Sequence, residues 1–129
     1  MQKSKGFRDL IVWQKAHQLV LDIYKLTRLF PQEERYCLTQ QIRRSVISVA
    51  ANIAEGYRKR TIPDKAKFMN IAQGSLDETH YYLILTEDLE YAKTQLLQEN
   101  LEEVARILNA YVITLNEKRI LLDKVSIER

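Results

Sequence analysis

The stretch LTQQIRRSVISVAANIAEGY, residues 38–57, decides the fold. Its large apolar residues recur every three or four positions, which is the spacing of one face of an α-helix. This stripe consists of Leu38, Ile42, Val46, Val49, Ile53 and Tyr57. Small side chains crowd the same stretch and would let a second helix approach closely. They are Ser45, Ser48, Ala50, Ala51, Ala54 and Gly56. The stretch therefore predicts a long amphipathic helix that packs tightly against other helices.

Three further segments on either side of this stretch have the same helical periodicity. On the third helix, for which Thr61 can act as the cap, the apolar stripe carries Phe68, Ala72, Ser75, Leu76, Thr79, Tyr82, Leu83 and Leu89. On the fourth it carries Leu97, Leu101, Val104, Leu108, Tyr111, Leu115 and Leu122. The four predicted helices span residues 10–30, 33–59, 62–91 and 95–122. The chain has only 3 Gly and 2 Pro in 129 residues, whereas a sheet protein needs such residues for its frequent turns. Because the links between the segments are short, consecutive helices should be antiparallel neighbours. The sequence therefore predicts an all-α, up-down-up-down four-helix bundle.

The composition fits a single domain over residues 1–129, with 46% hydrophobic and 29% charged residues. We expect residues 1–8 and 124–129 to be flexible tails. The lone Cys37 excludes an internal disulfide and suits a reducing compartment. No stretch resembles a signal peptide, and the longest weakly polar run is about half of the roughly 20 residues that cross a bilayer. We therefore expect a cytoplasmic protein that has no membrane partner.

The third and fourth helices carry apolar residues outside the faces that would line the bundle core. These residues are Tyr81, Ile84, Leu85, Ile113 and Ile120. A helix that is apolar on nearly all sides is covered on more than one side, and one four-helix layer cannot supply that cover. We therefore predict a homo-oligomer with its subunit interface here. Gly74, which costs about 1 kcal/mol inside a helix relative to Ala, indicates a close helix contact nearby.

Metal and catalytic sites find no support in the sequence. A carboxylate-bridged metal site in a bundle needs a Glu-x-x-His pair on each of two helices. Gln14 stands three residues before His17, and no Glu precedes His80 at that spacing because the residue there is Asp77. Cys37 has no His near it in the sequence, and no Gly-rich phosphate loop is present. We therefore predict no metal, no cofactor and no enzymatic activity.

Polar residues flank the apolar stripes of the second and third helices. They are Asn52, Glu55, Ser75 and Glu78. Antiparallel pairing would bring the two pairs to similar levels, and buried polar groups need hydrogen-bond partners. We predict a structural network that fixes helix register, in which Arg43 or Arg44 offsets a carboxylate. The alternative is a general acid/base pair, but no cleft or activated group accompanies it.

Positive charge is concentrated in the first half of the chain. Residues 1–63 hold 12 Lys and Arg against 5 Asp and Glu, whereas residues 64–129 hold 8 against 12. Seven of these cations fall within 25 residues: Arg43, Arg44, Arg58, Lys59, Arg60, Lys65 and Lys67. The helix dipole favours cations at a helix C-terminus, which accounts for part of the cluster. The rest makes it a candidate nucleic-acid-binding site that contacts RNA or DNA through phosphates, without reading base sequence.

Over roughly residues 7–122, the chain resembles the bacterial four-helix-bundle proteins of the 23S rRNA intervening-sequence family. The resemblance rests on short runs: LIVWQKA at 10–16, FPQEE at 30–34, QIRRS at 41–45, NIAEGY at 52–57 and GSLDE at 74–78. The NIAEGY run followed by Gly-Ser-x-x-Glu is the most specific of these. The chain departs from the family pattern at Gln73, where a basic residue is expected.

The resemblance implies a left-handed antiparallel bundle that assembles as a ring, usually a homopentamer. A related accessory protein of diversity-generating retroelements is also a pentamer and binds nucleic acid and a reverse transcriptase. The family's link to ribosomal RNA is mainly genetic location, and no catalytic residues come with it. We thus predict a non-enzymatic, self-associating bundle that binds RNA or DNA electrostatically. The alternative is a scaffold or accessory subunit that docks an unidentified protein and binds no nucleic acid.

Overall fold

The computed structural model describes residues 6–128, with side chains up to residue 126, and these residues form four α-helices. The helices are α1 (Ile11–Thr27), α2 (Leu38–Arg58), α3 (Ile62–Asp88) and α4 (Gln95–Glu128). Two short 3-10 turns, Phe7–Asp9 and Gln32–Glu34, precede α1 and α2. No strand occurs between residues 6 and 128. The predicted all-α fold with four helices is confirmed.

The helices form a closed bundle in which each packs against the next, and α1 also packs against α4. Ser45 on α2 contacts Thr79 on α3, and Ser48 contacts Ser75. Because residue numbers rise on one helix while they fall on the other, α2 and α3 are antiparallel. The handedness of the bundle stays a prediction.

The core is built from the periodic apolar stripes, as the sequence predicts. Its fully buried side chains include Leu19, Ile23, Ile42, Val46, Val49, Ile53, Leu76, Leu83, Val104 and Leu108. Burial of each such side chain contributes about 1.5–3 kcal/mol to folding. On α3, Met69 is fully buried while the predicted Phe68 is half-buried. Two other predicted stripe members, Leu89 and Leu122, are exposed because they lie beyond the packed part of their helices.

The end of α1 and the start of α2 differ from the predicted boundaries. The α-helix stops at Thr27, and the N–H groups of Leu29 and Phe30 then donate to carbonyls three residues back, which is 3-10 geometry. This tighter turn keeps Phe30 in the core. After Pro31 a separate 3-10 turn forms, so that α2 begins at Leu38 and not at residue 33.

The fourth helix is longer than predicted and extends beyond its neighbours. Thr94 bonds to Leu83 and Gln98 bonds to His80, a register that places Leu115 near the start of α3. The helix continues past the predicted end at residue 122 to Glu128, and each described side chain from 116 to 126 is exposed. We call residues 116–128 the α4 overhang.

The predicted flexible tails fall partly outside the described residues, namely residues 1–5 and 129. Within the described part, Phe7 packs edge-on against Trp13, with ring centroids 5.0 Å apart. Residues 124–128 belong to α4. Helical structure therefore extends further toward both ends of the chain than the sequence pattern indicates.

Candidate nucleic-acid interface

Five of the seven predicted cations meet at one end of the bundle, around the turn from α2 to α3. Arg58 ends α2, Lys59 and Arg60 occupy the turn, and Lys65 and Lys67 lie in the first turns of α3. Arg58, Arg60 and Lys67 are exposed, while Lys59 and Lys65 are half-buried. We call these five residues the basic end. Their proximity follows from the short link, which the sequence already indicated.

Local contacts hold the turn of the basic end in place. The N–H of Asp64 donates to Oγ1 of Thr61 at 3.3 Å, so Thr61 caps α3 as predicted. The Lys65 ammonium donates to the carbonyl of Tyr57 at 2.6 Å and so satisfies an acceptor at the C-terminus of α2. The Lys59 ammonium lies over the ring of Phe68, 5.0 Å from its centroid. Two of the five cations are thus partly engaged in the fold, and three project outward.

A close helix contact lies beneath the basic end, at Gly56. This residue is buried, and a Cβ atom there would lie 2.8 Å from Cε of Met69 and 2.9 Å from Cβ of Phe68. Gly74 behaves differently, since it is exposed and a Cβ atom there would meet nothing within 4 Å. The close contact expected at Gly74 is therefore absent within the described chain. The glycine that permits close approach of α2 and α3 is Gly56.

Arg43 and Arg44 lie apart from the basic end, about 21 Å along α2 at 1.5 Å per residue. The Arg43 guanidinium stacks over the ring of Tyr24, 4.4 Å from its centroid, and its Nε donates to Oγ1 of Thr27 at 2.8 Å. Arg43 thus ties α1 to α2 instead of offsetting a carboxylate. Arg44 is exposed. The seven predicted cations therefore do not form one cluster.

Charges of both signs lie at both ends of the bundle. Near the basic end, the α4 overhang adds exposed cations, which are Lys118, Arg119 and Lys124, and exposed carboxylates, which are Glu117 and Asp123. The opposite end carries carboxylates, which are Glu33, Glu34, Glu87, Asp88 and Glu90, together with exposed cations, which are Lys25, Arg28, Arg35 and Lys93. The difference in charge between the two halves of the sequence does not become a difference between the two ends, because alternating helix directions bring residues from both halves to the same end.

A polar network between α2 and α3 includes two of the four predicted residues. Oγ of Ser48 lies 2.8 Å from Oγ of Ser75. The side-chain amide of Asn52 donates to the carbonyl and to Oγ of Ser48, at 2.8 and 2.9 Å. Hydroxyl and amide groups at these distances fix the register of the two helices and offer no general acid or base.

The two predicted carboxylates lie outside this network. Glu55 and Glu78 are both exposed. Oε2 of Glu78 accepts a hydrogen bond from the Tyr82 hydroxyl at 2.8 Å. Burial and, second, this hydrogen bond raise the pKa of Tyr82, which keeps the hydroxyl protonated as a donor near neutral pH. The arrangement is structural and does not activate either group.

A second hydroxyl pair, Ser45 and Thr79, is buried in the same seam and was not recognised as a polar pair from the sequence. Their oxygens lie 2.8 Å apart, and Oγ1 of Thr79 also donates to the carbonyl of Ser75 at 2.8 Å. Ser45 in turn donates to the carbonyl of Ile42 at 3.1 Å, so each hydroxyl has a backbone acceptor and either one can be the donor between the two. Ser45 was interpreted as a small packing residue, and Thr79 as a member of the apolar stripe.

The effects of replacing Ser45 and Thr79 on the free energy of unfolding should not be additive, because the two hydroxyls share a hydrogen bond. We expect Thr79→Val to reduce the free energy of unfolding by about 1–2 kcal/mol, since it removes a hydrogen-bond partner of the buried Ser45 hydroxyl. Ser45→Ala should cost a similar amount, and the double variant should cost less than the sum of the two. Urea unfolding followed by circular dichroism measures all three. Strict additivity of the two single effects would contradict the coupling.

The predicted interface residues are mostly exposed. Tyr81, Ile84, Ile113 and Ile120 lie at the surface, whereas Leu85 is half-buried and packs against the core. The α4 overhang extends this apolar surface with further exposed residues, which are Leu121, Leu122 and Val125. The sequence pattern assigned Leu122 to the core, because periodicity alone does not show where the neighbouring helices end.

The histidines and carboxylates do not gather into a metal centre in the described part of the chain. His17 stacks on Trp13, and His80 lies 3.3 Å from the side-chain oxygen of Gln98. Between residues 6 and 128, every helix is too short or too polar to cross a lipid bilayer.

The family model described as "23S rRNA-intervening sequence protein" matches residues 8–110. Among solved structures, the chain is similar to a protein of unknown function from the S23 ribosomal protein family of Bacteroides thetaiotaomicron VPI-5482. The two are 25% identical with a TM-score of 0.74, over 79% of this chain and 98% of that chain. No curated protein matches.

Proposed function

The chain belongs to the 23S rRNA-intervening sequence protein family, and we propose that it is a non-enzymatic bundle that binds the phosphate backbone of RNA or DNA and associates with copies of itself. The family match and the similar structure name no activity. The proposal therefore depends on the surface of this chain.

The basic end is the observation that carries nucleic-acid binding. Three exposed cations and two half-buried ones surround a single helix turn. The dipole at the end of α2 accounts for one or two cations there, and not for those at the start of α3, where the dipole favours anions. Of these, Lys67 is exposed, and together with the exposed Arg58 and Arg60 it is available to neutralise phosphates. Each phosphate contact releases condensed counterions.

Charge reversal at the basic end tests this binding. We expect the triple variant Arg58→Glu, Arg60→Glu and Lys67→Glu to lose more than about tenfold in affinity for a labelled oligonucleotide and to lower the salt slope by about 2–3. Fluorescence anisotropy over a range of salt concentrations measures both quantities. These three side chains are chosen because they are exposed, so their replacement should leave the fold intact.

The matched control reverses three exposed cations at the opposite end of the bundle. Lys25→Glu, Arg28→Glu and Arg35→Glu change the net charge by the same amount. Binding that weakens equally in both variants would reflect net charge alone and contradict a localised site. Absence of binding by the unaltered chain would favour the alternative of a scaffold that docks a protein.

Self-association is supported by two separate apolar surfaces. In a ring, each copy presents one surface to the preceding copy and a different one to the next. The outer face of α3 carries Tyr81 and Ile84 and lies among exposed carboxylates, which are Asp77, Glu78 and Asp88. The α4 overhang is apolar and carries equal numbers of cations and carboxylates, three of each, so the contact is expected to be mainly apolar. We infer that the overhang of one copy docks on the α3 face of the next, in the homopentameric ring that family membership suggests.

A further inference from the structure

We propose that the outer face of α1 and α2 binds single-stranded nucleic acid by base stacking on the Trp13–His17 pair. This inference rests on the proposed nucleic-acid function and adds the class of ligand to it. We define the α1–α2 face by Trp13 and His17 on α1, and by Arg44, Ala51 and Arg58 on α2.

The two rings form a rigid stack. The indole of Trp13 and the imidazole of His17 have centroids 5.0 Å apart and planes within 5° of parallel. Phe7 meets the indole edge-on, with the two ring planes 65° apart. His17 is exposed, so part of its ring is accessible to a base. An oriented aromatic face of this kind is what unpaired bases stack on.

The helix register places this stack beside Arg58. Thr27 at the end of α1 contacts Arg43 near the start of α2, and the two helices pack against each other along the bundle. Trp13 lies fourteen residues before Thr27 on α1, and Tyr57 lies fourteen residues after Arg43 on α2. Trp13 is therefore at the level of Tyr57 and Arg58. The aromatic stack and the basic end therefore adjoin.

The outer side of α2 offers a surface for a strand that runs from this stack toward the other end of the helix. Arg44, Ala51 and Arg58 are each seven residues apart, so they lie on one side of the helix, and all three are exposed. The two arginines stand about 21 Å apart at 1.5 Å per residue, with the small Ala51 between them. Phosphates can meet an arginine at either end while bases reach the rings between them.

Stacking on a protein ring selects single strands. In a duplex the bases already stack on one another and their faces are closed, so a duplex can use the arginines but not His17. One carboxylate, Glu55, is exposed three residues before Arg58 and offsets part of its charge. Binding at this face is therefore expected to depend more on stacking than on charge.

The single Trp of the chain provides a direct readout. We expect a thymidine oligonucleotide of about sixteen residues, the upper site size of one binding module, to change the fluorescence of Trp13 on binding. A duplex of equal length should bind without that change. His17→Ala should weaken binding of the single strand by about tenfold, in line with the loss of one stacked base. The same variant should change the affinity for the duplex by less than about twofold, because phosphate contacts dominate duplex binding.

A matched control and three outcomes make the test decisive. Gln18→Ala alters the neighbouring exposed position on α1, away from the stack, and should leave both affinities unchanged. Single-strand binding without a fluorescence change and without an effect of His17→Ala would overturn this inference and leave the proposed function intact. Absence of binding by both nucleic acids would overturn both. An effect of His17→Ala on sedimentation alone would identify a protein interface and overturn the inference.

Discussion

Gly56→Val is expected to reduce the free energy of unfolding by about 2–3 kcal/mol, which is the upper part of the range for overpacked sites. The added Cβ would meet Cε of Met69 at 2.8 Å and Cβ of Phe68 at 2.9 Å. The methionine end can turn away, but Cβ of Phe68 moves only with the backbone of α3. The variant must therefore push α2 and α3 apart at this contact. Urea unfolding followed by circular dichroism measures the loss.

Gly74→Ala is the matched control, since it adds one methyl group to a helix interior where nothing lies within 4 Å. We expect it to raise the free energy of unfolding by about 0.5–1 kcal/mol, because alanine is the better helix former. Opposite changes in the free energy of unfolding for the two variants would show that the space around each position, and not the loss of glycine itself, decides the effect on stability. A gain in stability from Gly56→Val would contradict the close contact.

Leu121→Asp combined with Leu122→Asp is expected to convert the proposed oligomer into a 15.2 kDa monomer. Both leucines are at least 60% exposed in the isolated chain, so a charge there should not unfold the bundle. Each desolvated charge at an apolar interface costs several kcal/mol, which exceeds the contribution of most interface residues. Sedimentation velocity at micromolar concentration measures the change, and thermal unfolding verifies that the monomer is folded.

The control places the same charges on equally exposed leucines at the opposite end of the bundle. Leu29 and Leu96 are both 69% exposed, and neither belongs to the α3 face or to the α4 overhang. Leu29→Asp with Leu96→Asp should leave the oligomer intact. A clean monomer for the unaltered chain, or equal dissociation by both double variants, would contradict the assignment of the overhang as the interface.

The fold could be predicted from sequence because burial of a helix face imposes a repeat on the chain. Val46 and Leu108 were assigned to the core on that basis and are fully buried. The repeat does not show where a neighbouring helix ends, which is why Leu122 was assigned to the core and is exposed. Nor does it distinguish the two glycines, because the space around Gly56 and Gly74 depends on the opposite helix.

The candidate site could be predicted only where its residues are adjacent in sequence. Arg58 and Lys65 flank one short turn, so their proximity needs no knowledge of packing. Arg43 seemed equivalent to them by charge, but its environment is set by Tyr24 on another helix. The apolar stripe of α1 does not single out the Trp13–His17 stack. Only the i, i+4 spacing of the two residues, which places both rings on one side of a helix, indicates it.

The three-residue link between α2 and α3 also affects how the chain folds. Closing so short a loop costs little entropy, and contacts of small sequence separation form early. During synthesis these two helices emerge before α4 and can pair as soon as both are available. The hairpin they form already contains Gly56 and all five cations of the basic end. We therefore expect a nascent chain to present its phosphate-binding charges before its last helix closes the core.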